Sequence, residues 1–127
     1  MVLTLTTEIL IINYIKMDNI EKKNWGGEEC PITLFMEQIG GKWKPVILWL
    51  LFQEETMRFS ELDKSISGIT QKMLSQQLKG LEETGTIKRV SYPVIPPKVE
   101  YSLTEKGKSL FSILDGLCKW SENNLSR

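Results

Sequence analysis

Four residues in the middle of the chain have types and spacing suited to reading DNA: Lys72, Ser75, Gln76 and Lys79. Their offsets of three, four and seven put them on one face if the segment is helical. All are cationic or hydrogen-bonding, and no carboxylate follows until Glu82. Lysine and glutamine can meet phosphates and base edges when such a helix lies in a major groove. A plain solvated face has the same composition, and on this stretch alone the two readings weigh equally. The surrounding elements have to decide between them.

Other chemistry is scarce. Histidine is absent, which removes His-based nucleophilic triads, His general bases and most zinc sites. There is no glycine loop of the kind that cradles phosphates, and no carboxylate cluster facing a pocket, so the sequence argues against an enzyme. No metal site and no cofactor are expected. The two cysteines, Cys30 and Cys118, do not form a zinc set or a secreted disulfide framework. A reducing cytoplasm is the expected compartment. Cys30 precedes Pro31, a residue suited to the first position of a helix. A thiol there feels the positive end of the helix dipole, which favours the nucleophilic thiolate. The neighbouring Glu28 and Glu29 oppose it, and a cysteine that merely packs beneath the helix is the alternative reading.

The elements that must position these groups can be read in order. The polar face belongs to a helix that Thr70 caps and that runs free of Gly and Pro to Gly80, with Met73, Leu74, Leu78 and Leu81 toward a core. Ahead of it, Arg58 to Lys64 reads as a short helix with Phe59, Leu62 and Ile66 on its apolar side, and Ser67-Gly68 as the turn between the two. Further upstream, Pro31 opens a helix that ends at Gly40-Gly41. Trp43 to Phe52 is apolar nearly all round, which predicts a helix buried on most sides. Downstream of Gly85, one β-like run carries Ile87, Val90 and Tyr92, and another alternates Val99, Tyr101 and Leu103. The stiff loop Pro93-Val94-Ile95-Pro96-Pro97 joins them. A hairpin directly after a helix-turn-helix is a wing, and Lys88, Arg89 and Lys98 suit it for phosphate or minor-groove contact. Thr104 is expected to cap one long last helix. Its stripe of Leu110, Ile113, Leu114 and Leu117 exceeds what so small a domain can cover, so this helix is read as a dimer surface, with Cys118 packed in it.

At 127 residues with 41% hydrophobic and 25% charged content, the chain has the size and composition of one globular domain. Residues 30–127 are expected to form it, with residues 1–29 as an extension. The apolar run Ile9 to Ile12 is too short to span a membrane, and no basic residues precede it as in a signal peptide. Met17 opens a more ordinary start, so residues 1–16 are either an upstream addition or an extra element of a dimer surface. The net charge is zero, but residues 1–57 hold three more carboxylates than cations and residues 85–127 three more cations than carboxylates. A basic face is therefore permitted.

The chain resembles the HxlR-type family of bacterial winged-helix transcription regulators, a branch near the MarR group. The matching pieces stand in order: Cys30-Pro31, Ile39-Gly40-Gly41-Lys42-Trp43-Lys44, Arg58-Phe59-Ser60-Glu61-Leu62, and Gly68-Ile69-Thr70-Gln71-Lys72-Met73-Leu74 with Gln77-Leu78. Leu81-Glu82, Tyr92-Pro93, Pro96-Pro97-Lys98-Val99-Glu100-Tyr101-Ser102-Leu103-Thr104 and Gly107 complete the set. The resemblance covers about residues 30–121 and implies an α+β, mainly helical fold: a winged helix-turn-helix with a two-stranded wing and a C-terminal dimerisation helix. It implies a homodimeric repressor on double-stranded DNA, with half-sites of a two-fold operator roughly 34 Å apart. Groove contacts then fall to Gln71, Lys72, Ser75 and Gln76, and phosphate contacts to Lys79, to Thr70 at its helix N-terminus, and to Lys88, Arg89 and Lys98. Arg58 and Ser60 join at the backbone. Family members often sense oxidants or electrophiles through an N-terminal cysteine, where Cys30 stands, and Cys118 could resolve an oxidised Cys30 across the dimer. The alternatives are control by a small-molecule ligand, or a winged helix that binds only protein.

Overall fold

A computed structural model describes Glu8, Leu10 and Ile11, which are helical, and residues 30–127. The chain divides into two units, Met1–Cys30 and Pro31–Arg127. The two readings of residues 1–16 lie outside the described residues apart from Glu8, Leu10 and Ile11, and these three do not decide between them.

Within the second unit the elements are α1 (Pro31–Gln38), α2 (Lys44–Glu54), β1 (Thr56–Arg58), α3 (Phe59–Ser65), α4 (Gln71–Glu83), β2 (Ile87–Tyr92), β3 (Lys98–Leu103), α5 (Glu105–Lys108) and α6 (Phe111–Asn124). The strands form one antiparallel sheet in the order β1-β3-β2. The helical majority, the helix-turn-helix of α3 and α4, and the following β2–β3 hairpin make this the expected winged helix-turn-helix.

The core gathers where these elements meet. Ile47, Leu48 and Leu51 of α2, Leu62 of α3, Leu74, Leu78 and Leu81 of α4, and Ile87 and Leu103 of the sheet are buried together. Spacings of three and four on α4 bring its leucines onto one side, which leaves its polar face outward. Gly68, at φ 85°, takes the left-handed turn conformation that glycine adopts without steric cost.

Three expectations need correction. Residues 56–58 form a strand, β1, in register Thr56↔Ser102, Met57↔Tyr101 and Arg58↔Glu100. The third strand fits because Met57 alone turns into the core. Helix α2 is buried or half-buried around most of its circumference, as expected, with Val46 as its exposed apolar residue. Met73 is exposed as well, although Leu74 beside it is buried. The last helix is two, because Thr104 caps only the four-residue α5 and the chain turns again at Ser109-Leu110 before α6. Within α5, Gly107 packs so closely on Thr86 that a Cβ would overlap the Thr86 carbonyl oxygen.

Candidate nucleic-acid interface

Thr70 starts the site. Its backbone is extended, and its hydroxyl accepts a hydrogen bond from the Met73 N–H at 3.1 Å, so α4 begins one residue later with a filled N-cap. From that start Gln71, Lys72, Ser75, Gln76 and Lys79 are all exposed, while Leu74 and Leu78 between them anchor the helix. The face anticipated from spacing is thus assembled on one rigid element. Gln71 is partly committed, since its amide donates to the Asp63 carboxylate of α3 at 3.5 Å, the limit of hydrogen-bond length.

Arg58 and Ser60 are exposed at the start of α3. The Arg58 N–H donates to Glu61 Oε1 at 3.1 Å, which fixes the entry to that helix. The Arg58 side chain shares one sheet face with Glu100, its partner across β1–β3.

The three wing cations part company. Lys88 and Arg89 are adjacent on β2, so their side chains leave opposite faces of the strand. Lys88 lies in the row Thr56–Ser102–Lys88 and lines a cavity of about 460 Å³ with Leu51, Phe52, Glu55 and Lys108. Arg89 is exposed on the other face, the face that carries Tyr101 and Ile87. Lys98 is already engaged: its ammonium pairs with Glu100 at 2.8 Å and sits 5.1 Å from the Tyr92 ring centre. That hydrogen bond from Lys98 is the main reason the Glu100 carboxyl titrates below its ordinary value, with Tyr92 and Arg58 acting in the same direction. A phosphate contact by Lys98 has to compete with Glu100, which weakens the expectation that it is a simple phosphate ligand. Lys98 and Glu100 share a face because they are two positions apart on β3, whereas the contact with Tyr92 depends on the register Tyr92↔Lys98, for which the sequence held no signal beyond the two strands.

On α6 the expected stripe also divides. Leu110 and Leu114 are buried in the core of their own protomer and are not free for a partner. Ile113 and Leu117 are exposed, as are Phe111 and Trp120. Phe111 stacks on Trp49 with ring centres 6.2 Å apart and meets Phe52 edge-on at 5.3 Å, tying α6 to α2. An apolar groove of about 370 Å³ between Val46, Trp49, Leu114 and Leu117 has Cys118 and Ser121 on its wall. Cys30 and Cys118 are both half-buried free thiols; Cys30 immediately precedes α1, and Cys118 points toward Glu122 Oε1 at 3.9 Å.

The sequence model of the HxlR-like helix-turn-helix family matches residues 38–127. The chain belongs to this family. Among its relatives is a protein described as the regulatory protein MalR of Fusobacterium mortiferum, 48% identical over 108 residues that make up 85% of this chain and 100% of that protein. The transcriptional regulator YtcD of Bacillus subtilis is 48% identical over 108 residues, 85% of this chain and 82% of its own. Among solved structures, the redox regulator HypR in its oxidised form has a TM-score of 0.72 at 40% identity, over 77% of this chain and all of that one. The diamide-treated YodB of Bacillus subtilis has a TM-score of 0.62 at 31% identity, over 80% of this chain and all of that one. As an HxlR-like protein this chain is a transcriptional regulator of the helix-turn-helix type. Among the described residues no helix is long and apolar enough to cross a membrane.

Proposed function

We propose that the protein is a homodimeric repressor that binds a two-fold operator and is released or retuned when an oxidant or electrophile reacts at Cys30. The observation that carries the DNA reading is the exposed face of Gln71, Lys72, Ser75, Gln76 and Lys79 on a helix held from behind by Leu74, Leu78 and Leu81. In this reading Gln71, Lys72, Ser75 and Gln76 make the groove contacts, while Lys79 and Arg89 meet phosphates. The uncovered apolar residues of α6, together with Val46 of α2, are what a second copy would cover. Redox control is supported by the likeness to HypR and YodB and by two free thiols, with Cys118 as the group that could resolve an oxidised Cys30 across the dimer.

Titrating DNA from upstream of the protein's own gene, at several salt concentrations, tests the reading. A regulator of this kind binds one fragment specifically and loses affinity steeply as salt rises; equal binding to every fragment overturns it. The redox part is tested by diamide. Treatment should yield a dimer on a non-reducing gel or a changed operator affinity, and Cys30→Ser should abolish the response. A Cys30→Ser protein that responds like the original removes Cys30 as the sensor.

A further inference from the structure

The wing ends in an apolar point. Ile95 is fully exposed (101%) and Val94 half so (51%), and no charged residue lies between Tyr92 and Lys98. The hairpin leaves the core at Ile87, which is buried, and every later residue of β2 is exposed. At about 3.3 Å per residue the strand carries its tip roughly 17 Å from Ile87. Three prolines, Pro93, Pro96 and Pro97, restrict the loop, and the Val94 N–H donates to the Tyr92 carbonyl at 2.9 Å. The loop's base is braced by the last cross-strand pair, where Lys98 lies over Tyr92 and pairs with Glu100. Lys98 is thus occupied, Lys88 and Arg89 lie at the base of the hairpin, and what the tip itself presents outward is aliphatic.

We propose that Ile95, supported by Val94, enters the minor groove beside the operator half-site and wedges against a base step. This rests on the operator-binding reading above. Exposed isoleucine at the tip of a soluble domain carries a cost in water that contact with base and sugar edges relieves. Apolar side chains inserted between base steps unstack and kink the duplex toward the major groove. Proline restriction lowers the ordering cost of placing the tip. Flexible pyrimidine–purine steps such as TA and CA/TG deform most easily, so the wing would select sequence by deformability at positions it makes no hydrogen bonds to.

The test compares the full chain with Ile95→Ala and the Val94→Ala/Ile95→Ala double variant on a labelled operator. Both changes lie at an exposed loop tip, and thermal unfolding checks that the fold is unaltered. Operator affinity should fall at least about tenfold in the double variant, with the slope of log affinity against log salt unchanged, because no phosphate contact is lost. The bend measured by end-to-end energy transfer should shrink. Replacing a flanking TA step by a stiff A-tract should weaken the original protein and leave the double variant unaffected. Equal affinity and equal bend for the original and the double variant overturn the wedge. So does a changed salt slope, which would assign the tip to the phosphates. If the original protein binds no operator at all, the operator-binding reading fails first and the wedge falls with it.

Discussion

The side chain of Lys44 crosses the recognition helix at Gly80: a Cβ on that glycine would stand 3.0 Å from both Lys44 Cε and Nζ. The lysine spans from the start of α2 over α4 and donates to the Gln38 carbonyl at 3.1 Å, at the end of α1. Three helices therefore meet at a position where α4 has no side chain. Glycine inside a helix costs about 1 kcal/mol relative to alanine. Its presence here is accounted for by the space it leaves to Lys44.

Gly80 and Gly107 should respond oppositely to a methyl group. At Gly80 the neighbour is the flexible end of a lysine, which can shift by a few tenths of an ångström. Gly80→Ala should be neutral or stabilise by up to about 1 kcal/mol in urea unfolding. At Gly107 the neighbour is the Thr86 backbone, held between α4 and α5 by the Thr104 N–H at 3.0 Å. Gly107→Ala should destabilise by roughly 1–3 kcal/mol, the usual cost of overpacking. Equal midpoints for the two variants would show that the α4–α5 corner is not tightly packed.

Residues on the exposed face of α4 should separate into readers and holders. Gln76→Ala should reduce discrimination between operator and random DNA by about 1–3 kcal/mol. Lys79→Ala should weaken both alike and reduce the salt slope by about 1. Competition binding against random duplex at several salt concentrations measures both quantities. A Gln76→Ala protein with unchanged discrimination would take base reading away from that residue.

The Lys98–Glu100 pair predicts a pH signature in the wing. Hydrogen bonding to Lys98 lowers the Glu100 carboxyl from its ordinary 4.5. A carboxyl lowered by folding stabilises the fold above its unfolded value, and that contribution fades as pH falls through the lowered folded value. At an exposed pair the effect on global stability is small, so the direct measurement is a carboxyl titration followed by NMR. Glu100 should titrate below 4.5, and Lys98→Met should move its midpoint upward. The same logic gives a DNA result near neutral pH: Glu100→Gln frees Lys98 and should raise affinity for random DNA at low salt. Unchanged affinity would mean that Lys98 is out of reach of the duplex.

The helix-turn-helix, its turn and the face of α4 were legible because period-3.6 patterning, an N-cap threonine and a turn glycine all agree over residues 58–83. Elements whose logic is tertiary were not. Strand β1 has three residues and one inward side chain, Met57, too short for a period of two to register. The close approach of Gly107 to Thr86 joins segments twenty-one positions apart in sequence, and no local pattern announces it. Leu114 and Leu117 differ by three positions and look alike, yet one is core and the other exposed, because α6 meets α2 along a narrow line. Lys98 and Glu100 share a face of β3 by simple alternation, but only register sets Lys98 over Tyr92.

That narrow line gives the dimer its test. Leu114 is used by the protomer, so Leu114→Asp would bury an unpaired charge and should unfold the domain. Ile113 and Leu117 are exposed on the same helix, and Leu117→Asp places its charge in water unless a second copy covers it. If α6 is the dimer surface, Leu117→Asp should give a folded monomer in sedimentation equilibrium, with near-native circular dichroism. Its unfolding temperature should no longer rise with protein concentration. Operator affinity should drop steeply, because a monomer engages one half-site of a two-fold site, while affinity for a single half-site stays near the original. A Leu117→Asp protein that remains dimeric would move the interface off this part of α6, toward the exposed Ile32, Leu34 and Met36 of α1. The same measurement on Ile32→Asp would then decide it.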